Sequence, residues 1–176
     1  MNKKVAIVLL KIYSPIRKIL EKFMFKKFSQ KLEYETKRWE NAKLMSIKEF
    51  GEYINSFEYL SDKGKGLFDM SFPVDKPEYF FSELKWGRDC DDFARIWGLY
   101  LKYNGWEEVK EVIVTNSKKF FSKSHVVLIA KKDNEYWLFN YAQYGPFNTF
   151  DEAVKDLHRW PSYEADTLVW TKYREL

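Results

Sequence analysis

Reactive side chains are scarce in this chain: of its 176 residues, one is cysteine and two are histidine. A lone cysteine excludes an intrachain disulfide, so nothing calls for an oxidising compartment. Long apolar runs are missing as well. Val5-Ala6-Ile7-Val8-Leu9-Leu10 spans six residues, against the ~20 that cross a bilayer, and no small-residue cleavage site follows it as in a secretory signal. No nucleic-acid recognition motif accompanies the basic residues, so nucleic acid is not an expected partner. The acids around Cys90 have poor spacing for zinc, and neither a metal nor a cofactor is expected. No internal repeat, low-complexity tract or linker divides the chain.

What is present is a core. Apolar residues make up 45% of the sequence and aromatic residues 19%, which predicts one globular domain with a self-sufficient interior. The net charge of +4 is unevenly spread. Residues 1–31 hold nine Lys or Arg against the single acid Glu21, a charge of +8, so the rest of the chain carries −4. Beyond Pro15, the spacing of Ile16, Ile19, Leu20, Phe23 and Phe28 suits one face of a helix, and Arg17, Lys18, Lys22, Lys26 and Lys27 fill much of the rest. Such a helix can lie on an anionic membrane, or it can pack on its own domain with a solvated basic side. Residues 1–45 are read as this basic amphipathic arm and 46–176 as the folded domain. The expected location is the cytoplasm, with membrane association through the arm and with secretion left open.

Along the chain, helix is expected from Ile16 to about Leu44, with a break near Ser29. Ser46-Ile47-Lys48-Glu49 is a capping box opening a short helix over 47–55. Residues 61–77, with Gly64, Gly66, Pro73 and Pro77, read as loop, and the chain stays irregular to Arg88. Asp89 is expected to cap a largely buried helix from Cys90 to about Tyr103, which stops at Asn104-Gly105. Strands follow over Val109–Thr115, Ser124–Lys131 and Tyr136–Ala142, the last two joined by a hairpin turn at Lys132–Glu135. Thr149-Phe150-Asp151-Glu152 opens a helix to about Arg159, and Thr167–Tyr173 forms the last strand. The fold class is therefore α+β, with N-terminal helices followed by a small antiparallel sheet.

Cys90 lies where Gly87-Arg88-Asp89 runs into a helix. At a helix N-terminus the unpaired amides and the positive dipole end favour a thiolate. Asp89, Asp91 and Asp92 oppose it, because neighbouring negative charge raises a thiol pKa, and Arg88 offsets only part of that. His125 begins the β-branched run of the second strand and Asn140 ends the third. In an antiparallel hairpin the paired residue numbers have a constant sum. A sum of 267 makes Asn140 the diagonal same-face neighbour of His125, and a sum of 265 makes them direct partners. Either register lets Asn140 orient the imidazole, provided that the Cys90 helix packs across that face. His158, in the last turn of its helix, is read as structural.

Gly87-Arg88-Asp89-Cys90-Asp91-Asp92-Phe93-Ala94 resembles the helix-start motif of bacterial transglutaminase-like cysteine proteases. Tyr59-Leu60-Ser61-Asp62, Gly66-Leu67-Phe68-Asp69, Ser124-His125-Val126-Val127 and Trp137-Leu138-Phe139-Asn140 are similar to that group's flanking segments, so the likeness covers about residues 58–142. Asn140 stands where the family usually has aspartate, and valines follow His125 where it usually has a small residue and an aromatic. The resemblance implies a papain-like, transglutaminase-like core with Cys90 as nucleophile, His125 as general base and acid, and Asn140 as orienter. It implies a protein or peptide substrate and a thioester intermediate resolved by water in a protease or amidase, or by an amine in a transglutaminase. The Cys90 amide supplies half of an oxyanion hole, with Tyr59 or Trp86 as the other donor. The rival expectation is a non-catalytic scaffold that keeps the fold.

Overall fold

The computed structural model describes residues 33–60, 72, 75–82, 88–116, 124–159 and 168–176, together with Lys4, Val5, Val8 and Ile12. Its elements are α1 (Glu33–Ala42), α2 (Ile47–Asn55), α3 (Glu78–Phe81), α4 (Cys90–Tyr103), β1 (Glu107–Asn116), β2 (Ser124–Lys132), β3 (Glu135–Asn140), β4 (Ala142–Phe147), α5 (Phe150–Lys155) and β5 (Leu168–Glu175). All neighbouring strands are antiparallel, in the order β4-β3-β2-β1-β5. This is the expected α+β arrangement, with helices leading into a small antiparallel sheet. The expected helix over residues 16–32 lies outside the described residues, as do Gly64, Gly66-Leu67-Phe68-Asp69, Pro73 and Trp86.

Local chemistry accounts for the helix starts. Ser46 Oγ accepts from the Glu49 amide at 3.3 Å, and Glu49 Oε2 accepts from the Ser46 amide at 2.9 Å, so both halves of the capping box are made. At α5 Thr149 Oγ1 accepts from the Glu152 amide at 3.2 Å, while the Glu152 carboxylate reaches one residue further back, to the Asn148 amide at 2.9 Å. The last helix is shorter than its expected span: after Lys155 the chain tightens into a 3₁₀ turn over Asp156–Arg159, which includes His158. α4 ends where Asn104-Gly105 places it, and Gly105 takes the left-handed φ of 75° that a glycine adopts without strain.

The sheet separates two apolar layers. On one side α4 contributes Phe93, Ala94, Ile96, Trp97, Tyr100 and Leu101, which pack with Val109, Ile113, Val126, Leu128 and Phe139. On the other side Val112, Val114, Val127, Ile129 and Leu138 pack with Ala153, Val154 and Leu157. The strands alternate between these layers residue by residue, the two-residue period of a sheet covered on both faces. α4 comes very close to the sheet at Gly98, where a Cβ would sit 2.1 Å from Leu176 Cδ1 and 3.0 Å from Leu128 Cδ1. Ala42 is fully buried in the same core as Phe50, and Arg38 Nη1 donates to the Phe81 carbonyl at 3.2 Å. α1 therefore packs on the domain, on the arm side of the boundary read at residue 45.

Three elements differ from the reading of the sequence. Pro77, expected in a loop, precedes the four-residue helix α3, whose Tyr79, Phe80 and Phe81 are all buried. The third strand stops at Asn140, and after Tyr141 the chain reverses into β4, an edge strand that carries Pro146. An edge position tolerates a residue with no N–H. The 117–123 connection of β1 and β2 is outside the described residues.

Inside α4 lies a charge that the apolar pattern conceals. Arg95 and Glu111 are both fully buried, with Arg95 Nε donating to Glu111 Oε1 at 2.8 Å and Nη2 to Oε2 at 3.3 Å. Arg95 Nη1 donates to the Phe72 carbonyl, and the Phe72 amide donates to Asp92 Oδ1 at 3.1 Å. Removing one partner of such a pair leaves an uncompensated buried charge. Glu111→Ala is expected to lower the unfolding free energy by about 3–5 kcal/mol in a denaturant titration. The double variant Arg95→Met, Glu111→Leu is expected to recover most of that loss.

Candidate active site

The turn into Cys90 is clamped. Arg88 and Leu60 form an antiparallel bridge, with the Arg88 amide donating to the Leu60 carbonyl at 2.7 Å and the Leu60 amide to the Arg88 carbonyl at 3.0 Å. The Arg88 guanidinium donates through Nε to the Phe80 carbonyl at 2.9 Å and through Nη2 to the Ser82 carbonyl at 3.1 Å, and it lies 4.7 Å from the Phe57 ring centre. Its hydrogen bonds thus staple α3 to the start of α4, and they do not go to the acids beside the thiol. Asp89 is the N-cap residue in extended conformation, and its side chain makes no capping hydrogen bond.

Cys90 is 9% exposed at the head of α4, and Asp89, Asp91 and Asp92 around it are all buried. One carboxylate oxygen from each of these aspartates lies within 4.8 Å of the others. The Cys90 sulfur is not part of that cluster, whose acids flank it in sequence. They are also the only His, Cys, Asp or Glu cluster among the described residues with the spacing of a metal site, and Asp92 already accepts from the Phe72 amide.

His125 and Asn140 are in direct contact: His125 Nε2 lies 2.7 Å from Asn140 Oδ1. The hairpin explains why. Leu128 pairs with Phe139 and Lys132 with Glu135, which is the register of sum 267. Asp133 and Asn134 take left-handed φ values of 52° and 65° in the turn, the conformation of a two-residue hairpin loop with the right twist. Because an amide oxygen only accepts, Nε2 carries the proton and Nδ1 is left as the basic nitrogen of the neutral ring. Burial lowers the His125 pKa, and the hydrogen bond to Asn140 opposes part of that shift. The resting imidazole is therefore neutral around pH 7.

The face on which α4 packs is a correction to the sequence reading. Val126 and Leu128 face α4, whereas Val127 and Ile129 face the layer under α5. His125 shares the parity of Val127 and pairs with Val114, while Asn140 shares that of Leu138, so both belong to the α5 side of the sheet. Contact between His125 and α4 runs through Tyr141. The Tyr141 ring centre is 6.0 Å from that of His125 and 5.3 Å, edge to face, from that of Phe93, one turn along α4 from Cys90. Tyr59, half exposed, stacks on Phe93 at 6.5 Å and meets Tyr141 at 6.2 Å.

Tyr141 was not legible as a site residue. Its φ of 60° is rare for a bulky side chain and costs backbone energy that surrounding contacts must offset. Asn55, at the end of α2, donates through Nδ2 to the Tyr141 carbonyl at 2.6 Å and so holds that conformation from outside the sheet. Burial, followed by the negative charge that Cys90, Tyr59 and Asp89 carry when ionised, raises the Tyr141 pKa, so its hydroxyl stays protonated.

Set beside known proteins, the chain matches no family model, no curated protein and no solved structure. The site must be judged on its own geometry, which makes the state of His125 a direct check. Two-dimensional imidazole NMR is expected to show the Nε2–H tautomer and a titration midpoint below the ordinary ~6.5. Asn140→Ala is expected to lower that midpoint further, since the lost bond favours the cation. Because the fold prefers the neutral ring, His125 contributes stability that is present above about pH 6.5 and lost as pH falls toward the folded-state pKa.

Proposed function

We propose that this domain is a thiol-dependent amide-bond hydrolase in which Cys90 is the nucleophile, His125 the general base and acid, and Asn140 the orienting residue. The observation that carries the reading is the 2.7 Å His125–Asn140 contact, which leaves Nδ1 as the base beside the Tyr141 ring, itself packed on Phe93 in the first turn of α4. The resemblance of residues 87–94 to transglutaminase-like cysteine proteases supplies the same assignment, and with it a papain-like core. A protein or peptide amide is the substrate class.

The electrostatics favour one form of the mechanism over another. A preformed thiolate–imidazolium pair needs a raised histidine pKa, whereas burial lowers that of His125. Buried carboxylates beside Cys90 act in the same direction. Neutral Cys90 therefore gives its proton to Nδ1 as Sγ bonds to the carbonyl carbon, which is general-base catalysis. The carbonyl π pair moves onto oxygen. As the C–N bond breaks, His125 returns the proton to the leaving amine, and a thioester remains on Cys90. Water attacks it, again through His125, to release the acid. An amine in place of that water would make the domain an acyl transferase.

Burst kinetics with p-nitrophenyl acetate test this directly. Acylation of Cys90 is expected in the intact chain, to disappear in Cys90→Ala, and to fall about 10²–10⁴-fold in His125→Ala. Its rate is expected to climb with pH through a midpoint below ~6.5 and then level, following the neutral imidazole. The three buried aspartates favour a second reading, a non-catalytic scaffold whose thiol stays inert. That reading predicts slow acylation indifferent to His125.

For the N-terminal arm, we propose an anionic membrane surface as partner. Val5, Val8 and Ile12, at helical spacing, are between 49% and 55% exposed, and basic residues follow them in sequence. Among the described residues no helix is long and apolar enough to cross a membrane, so the contact would be peripheral. The full chain is expected to sediment with phosphatidylserine vesicles at low salt and to be released at high salt. Equal binding after deletion of residues 1–31 would contradict it.

A further inference from the structure

An acyl transfer to Cys90 places a negative charge on the former carbonyl oxygen, and one main-chain amide is a weak match for it. Residues flanking Cys90 in sequence cannot neutralise that charge, because Asp89, Asp91 and Asp92 are themselves acids buried at the same helix end. Arg88, the nearest arginine in sequence, donates its hydrogen bonds to the Phe80 and Ser82 carbonyls. A neutral donor that reaches the Cys90 turn from another element is what the site requires.

Tyr141 meets that requirement. Its ring contacts both the imidazole of His125, at 6.0 Å, and Phe93 in the first turn of α4, at 5.3 Å. Its ring also meets that of Tyr59, at 6.2 Å, and burial together with the acidic groups around it, Cys90 among them, keeps the Tyr141 hydroxyl protonated. Asn55 pins its main chain at a φ of 60°, which fixes where the ring projects. A donor held this way needs little rearrangement when charge develops, the property that makes oxyanion stabilisation effective. Tyr59 is half exposed and packs edge to face on the Tyr141 ring, a supporting part.

We infer that Tyr141 is a catalytic residue of this site, its phenol O–H serving with the Cys90 main-chain N–H as donor to the oxyanion formed when Cys90 Sγ attacks a carbonyl. The inference rests on the proposed nucleophilic role of Cys90. In the step, Sγ bonds to the carbonyl carbon, the thiol proton passes to His125 Nδ1, and the π pair becomes an oxygen lone pair that accepts a hydrogen bond from the Tyr141 O–H. Tyr141 keeps its own proton throughout, and the oxygen regains its double bond as the leaving group departs.

The test compares two reagents on the full chain. p-Nitrophenyl acetate forms an oxyanion when Cys90 attacks it, whereas iodoacetamide is displaced at a saturated carbon and forms none. Tyr141→Phe is expected to slow acylation about 10²-fold and to leave alkylation within a factor of two. Tyr59→Phe is expected to change neither rate by more than a few-fold. Loss of both reactions together in a folded Tyr141→Phe, or loss of neither, would overturn the inference. The role of Cys90 is judged separately. If His125→Ala slows acylation while Tyr141→Phe does not, the hydrolase reading stands and the role of Tyr141 falls. If wild type shows no His125-dependent acylation, both fall. Should Tyr141→Phe lose its near-ultraviolet circular dichroism, 3-fluorotyrosine at position 141 replaces it. That stronger donor should speed acylation relative to alkylation, and an unchanged ratio would overturn the inference equally.

Discussion

Arg95 sits where no water reaches it, and its guanidinium N–H groups must find acceptors inside the protein. They find the Glu111 carboxylate on β1 and the Phe72 carbonyl. That pairing constrains both the rotation of α4 about its axis and its position along the strands, since a slip of one residue would strand two buried charges. Apolar contacts alone would not be so exacting, because side chains of similar volume can exchange places in a core. The small residue at Gly98 then lets the helix settle against Leu128 and Leu176. Everything at the N-terminal end of α4 inherits its position from this arrangement.

The N-terminal end of α4 is built on that foundation from three directions. Arg88 joins the entering turn to Leu60, Phe80 and Ser82, so α3 and the segment after α2 hold Cys90 from behind. The β2–β3 hairpin brings His125 and Asn140 together by register. Tyr141 joins the two, reaching from the strained corner after β3 to Phe93 on α4. The histidine belongs to the α5 side of the sheet and not to its α4 face. Its burial favours the neutral imidazole.

Much of this was legible because it depends on short-range rules. The capping box at Ser46, the start of α4 at Cys90 and its stop at Asn104-Gly105 follow from residues within a turn of one another. Counting through the turn put His125 and Asn140 on one face as diagonal or direct neighbours, and the observed register is the diagonal one. What escaped the sequence depends on distant or unusual geometry. Arg95 and Glu111 are 16 residues apart, on different elements, and each reads as a solvent-facing charge until the fold buries it. β4 contains Gly145 and Pro146, which read as a turn, and only its place at the sheet edge makes them acceptable. The left-handed backbone of Tyr141 goes against its residue type, and no local signal announces it. The parity that assigns His125 to the α5 side required knowing which strand residues α4 covers.

The central claim is that Cys90 and His125 belong to one chemical unit, and the imidazole nitrogens of His125 report on that directly. Their ¹⁵N resonances should be compared in the intact chain before and after Cys90 is capped with iodoacetamide. A shared site predicts that Nδ1 shifts markedly while Nε2, held by Asn140, stays nearly in place. If neither nitrogen responds to modification of the thiol, the two residues are separate features of the fold, and the hydrolase account is wrong.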